Sequence, residues 1–369
     1  MSSTATQRMH GPVHLVGSMP FDSAEEVLRA TAAEIGDLVT ALPDGEIGDR
    51  RNWVRYLPQR VYSAHPQLEE TSHPDADTVL RAGESRTLPR WPGLWTFRIR
   101  EGEQLRFDDL HYGRYAIESY GVFRRLRDEG VIPAGVRFQM SLPASGSAIN
   151  PFFEDVEQWP EAQRAYQAGI RAEIAKVLDV VPADDLLVQF DLAWEVVDLA
   201  SGEDNFYPFW PTLTVEEKFA RHAASLDELW RGIPDGVLFG YHWCYGTRGG
   251  WPMTAMADLG LCVRLSNEAV RRSGRRVDFV HMPVVRHPGP DFFAPLEDLD
   301  VGDARVYLGL VHHTDDVDAF RDRARLARAH RDDFGIASVC GYGRVAPDEL
   351  AQALRAHREC AATLGPAAR

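Results

Sequence analysis

The chain has 369 residues, 44% of them hydrophobic, and a formal net charge of −15. That length and apolar share can bury a large core, as one big α/β barrel or as two ordinary domains, while the acidic balance argues against a nucleic-acid partner, which asks for a basic face. No window approaches the ~18 consecutive apolar residues of a membrane span, the start lacks a basic stretch followed by an apolar one, and four cysteines are too few to staple so long a chain, so a soluble cytoplasmic protein with free thiols is expected.

Short apolar runs alternate with longer helical patterns, as in a parallel α/β fold. The first run, "VHLVGSMP" (13–20), precedes a helical pattern whose Ser23 is placed to cap it, with Glu26 as the capping-box partner. "DLVTALPDGEIGDR" (37–50) follows, and then an irregular stretch rich in Pro, His and Trp up to about 110, which is expected to cover one end of the fold. A helix near 112–129 leads into "VRFQMSLPAS" (136–145), one near 158–180 into "LLVQFDLAWE" (186–195), and one near 214–231 into "GVLFGYHWC" (236–244). A helix near 254–273 leads into "RVDFVHMPV" (276–284), and the last runs, "RVYLGLVHH" (305–313) and "GIASVCGYG" (335–343), are each followed by a helical pattern.

These are eight strand candidates, and polar or reactive residues gather at the C-terminal end of nearly every one: Ser18, Glu46, Asp191, His242 with Cys244, His281, His312 with His313, and Cys340. In a (β/α)8 TIM barrel all those ends converge on one face, where active sites lie. The expected fold is therefore α/β, a single (β/α)8 barrel over 1–369 with an elaborated loop region between the second and third strands.

His242 and Cys244 are two apart, so on a strand both side chains face the same way, toward the barrel mouth. A zinc site needs further ligands from other elements; Cys340 at the end of the eighth run and His281 at the end of the sixth can both reach that mouth. Cys262 and Cys360 fall inside helical patterns and are expected to be buried and inert.

In order and rough spacing, "HLVGSMP", "PDGEIGDRRNWVRYL", "VQFDLAWE", "HWCYG" and "CGYGR" resemble the C-terminal barrel of cobalamin-independent methionine synthase, a relative of the uroporphyrinogen decarboxylase barrels. The resemblance implies a catalytic Zn2+ held by His242, Cys244 and Cys340. It also implies that Ser18, Glu46 and Asp191 hold the backbone groups of an amino-acid thiol. Two carboxylates at a barrel mouth with no lysine nearby suit an ammonium group; the plainer alternatives are that Glu46 caps its loop and Asp191 pairs with an arginine. A general-acid histidine after the seventh strand is implied as well, in a register that leaves His312 and His313 both open; His313 is preferred, since alternation keeps the two from lining the mouth together.

The chain departs from the family in three ways. Where the family has a Glu as its remaining zinc ligand, this chain has His281, which takes a site of two thiolates from net −1 to net 0. It has no room for the synthase's additional N-terminal barrel, and the loop "SLPASGSAINPFF" lacks the Trp that stacks on folate. The expected activity is a zinc-dependent transferase that activates a small thiol or amino-acid sulfur for methyl or alkyl transfer without folate, the donor being a corrinoid protein or a small methylated molecule. The alternatives are a zinc-dependent lyase or hydrolase on a small amino-acid-like substrate, and a metal-storing barrel without catalysis.

Overall fold

The computed structural model describes residues 8–73, 95–205, 207, 209–247, 251–254 and 256–364. Eight parallel strands form the barrel: β1 (Val13–His14), β2 (Ala41–Pro43), β5 (Arg137–Pro143), β6 (Leu186–Leu192), β7 (Leu238–Trp243), β8 (Phe279–Pro283), β9 (Arg305–Val311) and β10 (Gly335–Ser338). Neighbours pair in chain order from β2 through β10, and β10 pairs with β1. A parallel bridge between Val13 and Val39 closes the ring. All eight runs expected from the sequence are barrel strands.

Alternation along these strands separates two cores. The outward residues Val188, Phe190, Phe239, Tyr241, Val280, Val306 and Leu308 join one large cluster with the surrounding helices. The inward residues at the N-terminal end form a second, small cluster of Met9, Ala41, Leu187, Leu238, Phe279, Tyr307 and Ala337. This apolar floor fills the bottom of the barrel, as side-chain layers do in such folds. The segment before β1 crosses beneath it, held by Tyr307 Oη donating to the Gly11 carbonyl at 2.7 Å and by Gly11 N–H donating to Thr40 Oγ1 at 2.9 Å.

The outer helices are α1 (Ala24–Ile35), α2 (Tyr112–Asp128), α4 (Trp159–Leu178), α6 (Val215–Leu229), α7 (Gly260–Arg272), α8 (Val317–Arg328) and α9 (Pro347–Thr363). Ser23 caps α1 as expected, accepting from Glu26 N–H and donating to its carboxylate. Helix α7 starts later than the apolar pattern suggests, because Asp258 accepts from Gly260 N–H at 2.7 Å and makes its first turn there. Two short helices were not foreseen, α3 (Ser145–Ile149) and α5 (Trp194–Ala200), each springing directly from the end of a strand. Glu195 ties them together, accepting from Ser147 N–H at 2.8 Å and from its hydroxyl at 2.5 Å.

Between β2 and β5 lies the expected elaboration. It contains an antiparallel pair, β3 (Leu68–Ser72) and β4 (Thr96–Ile99), where only irregular chain was expected. Cys262 and Cys360 are buried in α7 and α9. Among the described residues no helix is long and apolar enough to cross a membrane.

Gly240, inward on β7, lets the floor close: a Cβ there would lie 2.3 Å from the Phe279 carbonyl oxygen and 2.4 Å from its ring. Gly240→Ala should therefore cost about 1–3 kcal/mol of stability through overpacking. Urea unfolding checks this, and an unchanged midpoint would mean that the strands do not approach so closely.

Candidate metal and substrate site

Above the floor the inward positions become polar. On β6 the inward column runs Leu187, Gln189, Asp191; on β7 it runs Leu238, Gly240, His242 and, just past the strand, Cys244; on β8 it is Phe279 and His281. The middle layer is tied to itself and to β1. Gln189 accepts from His14 Nε2 at 2.6 Å through its amide oxygen and donates to the Val16 carbonyl at 2.7 Å and to Asp191 at 2.8 Å. Gln139 donates to the Leu15 and Val16 carbonyls at 2.9 and 3.0 Å. Burial drives the His14 pKa down to about 3, so this layer holds a neutral imidazole.

At the mouth His242, Cys244 and Cys340 come together, with one ligand atom of each within 4.8 Å of the others. The two sulfurs are 3.7 Å apart. That is too far for a disulfide and close to the about 3.8 Å that two Zn–S bonds of ~2.3 Å subtend in a tetrahedron. The contact between the two thiols pulls the Cys340 pKa well down and, with burial, pushes that of Cys244 up. His242 Nε2 is buried without a hydrogen-bond partner, an orphan that a metal would satisfy. Two soft thiolates and one imidazole suit zinc.

Among the described residues this group does not extend to His281. The register pairs His242 with His281, so the rings lie side by side while the thiols stand one step nearer the mouth. The rings stack at 4.7 Å between centroids and 17° between planes, and their Nδ1 atoms are 2.6 Å apart.

Glu46 and Asp191 line the same open cleft of about 1370 Å³, with Ser18 beside them. The loop after β2 aims Glu46 through two successive left-handed residues, Gly45 at φ 83° and Glu46 at φ 51°; a non-glycine residue there carries strain of the kind found at functional sites. Asp44 sustains the turn by accepting from Glu46 N–H at 3.0 Å, and Arg50 anchors Asp44 at 2.7 Å. It is thus Asp44, not Glu46, that braces this loop. Gly17 leaves room for the Glu46 carboxylate, which a Cβ there would meet at 2.3 Å, and Gly341 does the same for Ser18 Oγ at 2.2 Å.

Burial raises the Glu46 pKa to about 8. Asp191 is raised well above its ordinary value by burial and then by the nearby Glu46 charge, against bonds from Gln189 and Trp53 that favour its ionised form. Asp191 is held by these two donors rather than by an arginine ion pair among the described residues. Gln189 and Trp53 were not singled out from the sequence, although Gln189 stands two positions before Asp191 and so shares its face.

His312 and His313 do not line the cleft among its described residues. His312 donates from Nε2 to the Val284 carbonyl at 3.0 Å, and burial lowers its pKa to about 4. His313 stands edge-on to Tyr342, 6.3 Å between ring centroids.

No protein-family model matches the chain, and no curated protein sequence does. Its fold is that of solved methionine synthase-like barrels. A B12-independent methionine synthase from Shewanella sp. W3-18-1, in complex with selenomethionine, is similar with a TM-score of 0.57 and 12% identity, over 92% of this chain and 87% of the other. A putative vitamin-B12 independent methionine synthase from Listeria monocytogenes is similar with a TM-score of 0.51 and 12% identity, over 92% and 86%.

The Glu46 shift has a signed consequence. Its folded pKa of about 8 lies above the ordinary 4.5, so the folded chain holds this proton more tightly than the unfolded one. Stability from this group is full below about pH 4.5 and is lost as pH rises through 8. Without ligand, wild-type stability relative to Glu46→Gln should fall between pH 5 and 9; parallel denaturation curves across that range would show that the carboxyl is not buried.

Proposed function

We propose that the chain is an enzyme that binds a small amino-acid thiol at the barrel mouth and activates its sulfur for methyl or alkyl transfer. The observation that carries this reading is the adjacency, in one cleft, of a thiol–thiol–imidazole group of zinc-binding character and two buried carboxylates. His242 Nε2, Cys244 Sγ and Cys340 Sγ would hold the metal. Zinc bound there would supply Lewis acidity that favours the thiolate form of a substrate sulfur at neutral pH.

The chain's own residues do the rest. Glu46 and Asp191 both resist ionisation because burial penalises each charge, and the Glu46 charge adds to the shift of Asp191. A substrate ammonium removes that penalty, ionising both carboxyls and turning them into charge-assisted acceptors. The Ser18 hydroxyl stands by the same pocket for the substrate carboxylate. The selenomethionine in the Shewanella protein is an amino acid carrying a sulfur analogue, which supports this choice of substrate class. The methyl donor in this reading is a small methylated molecule or a corrinoid protein, with no folate.

Two measurements test it. Metal analysis of purified protein should give about one zinc per chain, lost in Cys244→Ser and Cys340→Ser; a zinc-free wild type grown with ample zinc would end the reading. Glu46→Gln and Asp191→Asn should keep the zinc yet weaken binding of homocysteine or methionine by roughly 1.5–3 kcal/mol each, about ten- to a hundredfold. Unchanged calorimetric affinity in both would mean that no ammonium is bound here.

A further inference from the structure

Three arginines among the described residues line the cleft: Arg51, Arg55 and Arg344. Arg51 is paired with Asp22 at 2.8 Å, and Arg55 is engaged as well. Arg344 is half-buried and makes no hydrogen bond or ion pair with any described residue. In a chain with 55 acidic side chains against 40 basic ones, a guanidinium without an acid of its own keeps its planar fork of donors for something that enters the cleft. Its place is set by the loop after β10, which turns over Ser18. Tyr342 N–H donates to the Ser18 carbonyl at 2.7 Å, and Gly343 N–H donates to Ser18 Oγ at 3.4 Å. A Cβ on Gly343 would lie 2.9 Å from that of Ser18, so glycine permits the approach. Arg344 follows directly, at the same corner of the cleft as the Ser18 hydroxyl. Its charge also reaches the acids: burial raises the Glu46 pKa, and the Arg50 and Arg344 charges oppose it. Of those two cations, Arg50 is already held by Asp44.

We propose that Arg344 is a substrate-binding residue that takes the carboxylate of an α-amino acid together with Ser18, and that it thereby selects zwitterions over simple amines. The inference rests on the reading of the cleft as the site of an amino-acid thiol. An α-amino acid carries its ammonium and its carboxylate on one carbon, so the groups that receive them must adjoin. Glu46 and the corner formed by Ser18 and Arg344 line one cleft and meet that demand. A guanidinium gives a carboxylate two parallel charge-assisted bonds. Ser18 Oγ accepts from Gly343 N–H, which leaves its own proton to donate a third. The same guanidinium disfavours an amine that has no carboxylate, because such a ligand would bring a second positive charge beside Arg344 and nothing to neutralise it.

Calorimetry of the purified protein with two ligands tests this: homocysteine, and 3-aminopropanethiol, which is homocysteine without its carboxylate. The wild type should prefer homocysteine by about ten- to a hundredfold or more. Arg344→Gln should weaken homocysteine by about ten- to a hundredfold and leave the amine unchanged or bound more tightly, so that the preference collapses. Arg344→Lys, which keeps the charge without the fork, should recover part of it. A merely structural role would weaken both ligands alike. An Arg344→Gln that keeps the wild-type preference, or that loses both ligands equally, would overturn the inference and leave the ammonium site standing. A wild type that prefers the amine would overturn it without any variant. A wild type that binds neither ligand would remove the underlying amino-acid reading and this inference together.

Discussion

The site depends on the two-residue alternation of parallel strands closed into a ring over an apolar floor. Because Leu187 and Leu238 point inward at the bottom, the residues two further on, Gln189 and Gly240, point inward above them at the level of Phe279, and Asp191, His242 and His281 lie side by side in a third tier on β6, β7 and β8. A one-residue slip of any strand would exchange its tier for outward residues such as Phe190 or Tyr241 and send its functional group into the helical shell. The floor excludes water from below, so every polar group in the middle tier must find its partner inside the barrel. The Gln189 amide does this for three residues at once.

The electrostatics follow from that enclosure. The only two lysines are spoken for, Lys218 buried against Asp198 at 3.1 Å and Lys176 paired with Glu173 at 2.9 Å. Arg50 is committed to Asp44. Burial nevertheless dominates the acid pair: it raises both pKa values, although the Arg50 and Arg344 charges pull that of Glu46 the other way.

Much of this was legible in the sequence because strand alternation is local. His242-x-Cys244 is a same-face pair on any strand, and polar residues at the ends of eight apolar runs point to one barrel face. The convergence of His242, Cys244 and Cys340 follows from the closure of the sheet. The level of His281 does not: it is set by the register between β7 and β8, a non-local quantity that places its ring beside His242 rather than beside the thiols. The outward turn of His312 to the Val284 carbonyl depends likewise on how the chain leaves β9. The pair β3–β4 was missed because its strands are short and flank a long insertion. The left-handed Glu46 was hidden because a glutamate gives no composition signal for positive φ, although the preceding Asp44-Gly45 does signal a turn.

The position of His281 also bears on what kind of metal site the barrel can hold. Four protein ligands close a tetrahedral zinc and make it structural, whereas three leave one place for an exchangeable partner, as catalytic sites require. With the His281 ring against His242, the metal-ligating group among the described residues is His242, Cys244 and Cys340, in a cleft that Glu46 and Asp191 also line. The donor set would then be two thiolates and a neutral imidazole, balancing a divalent ion without a carboxylate. A ligand entering that position from an amino acid held by its ammonium would add the only further negative charge, so metal and carboxylates would select for one molecule carrying both an ionisable sulfur and an amine.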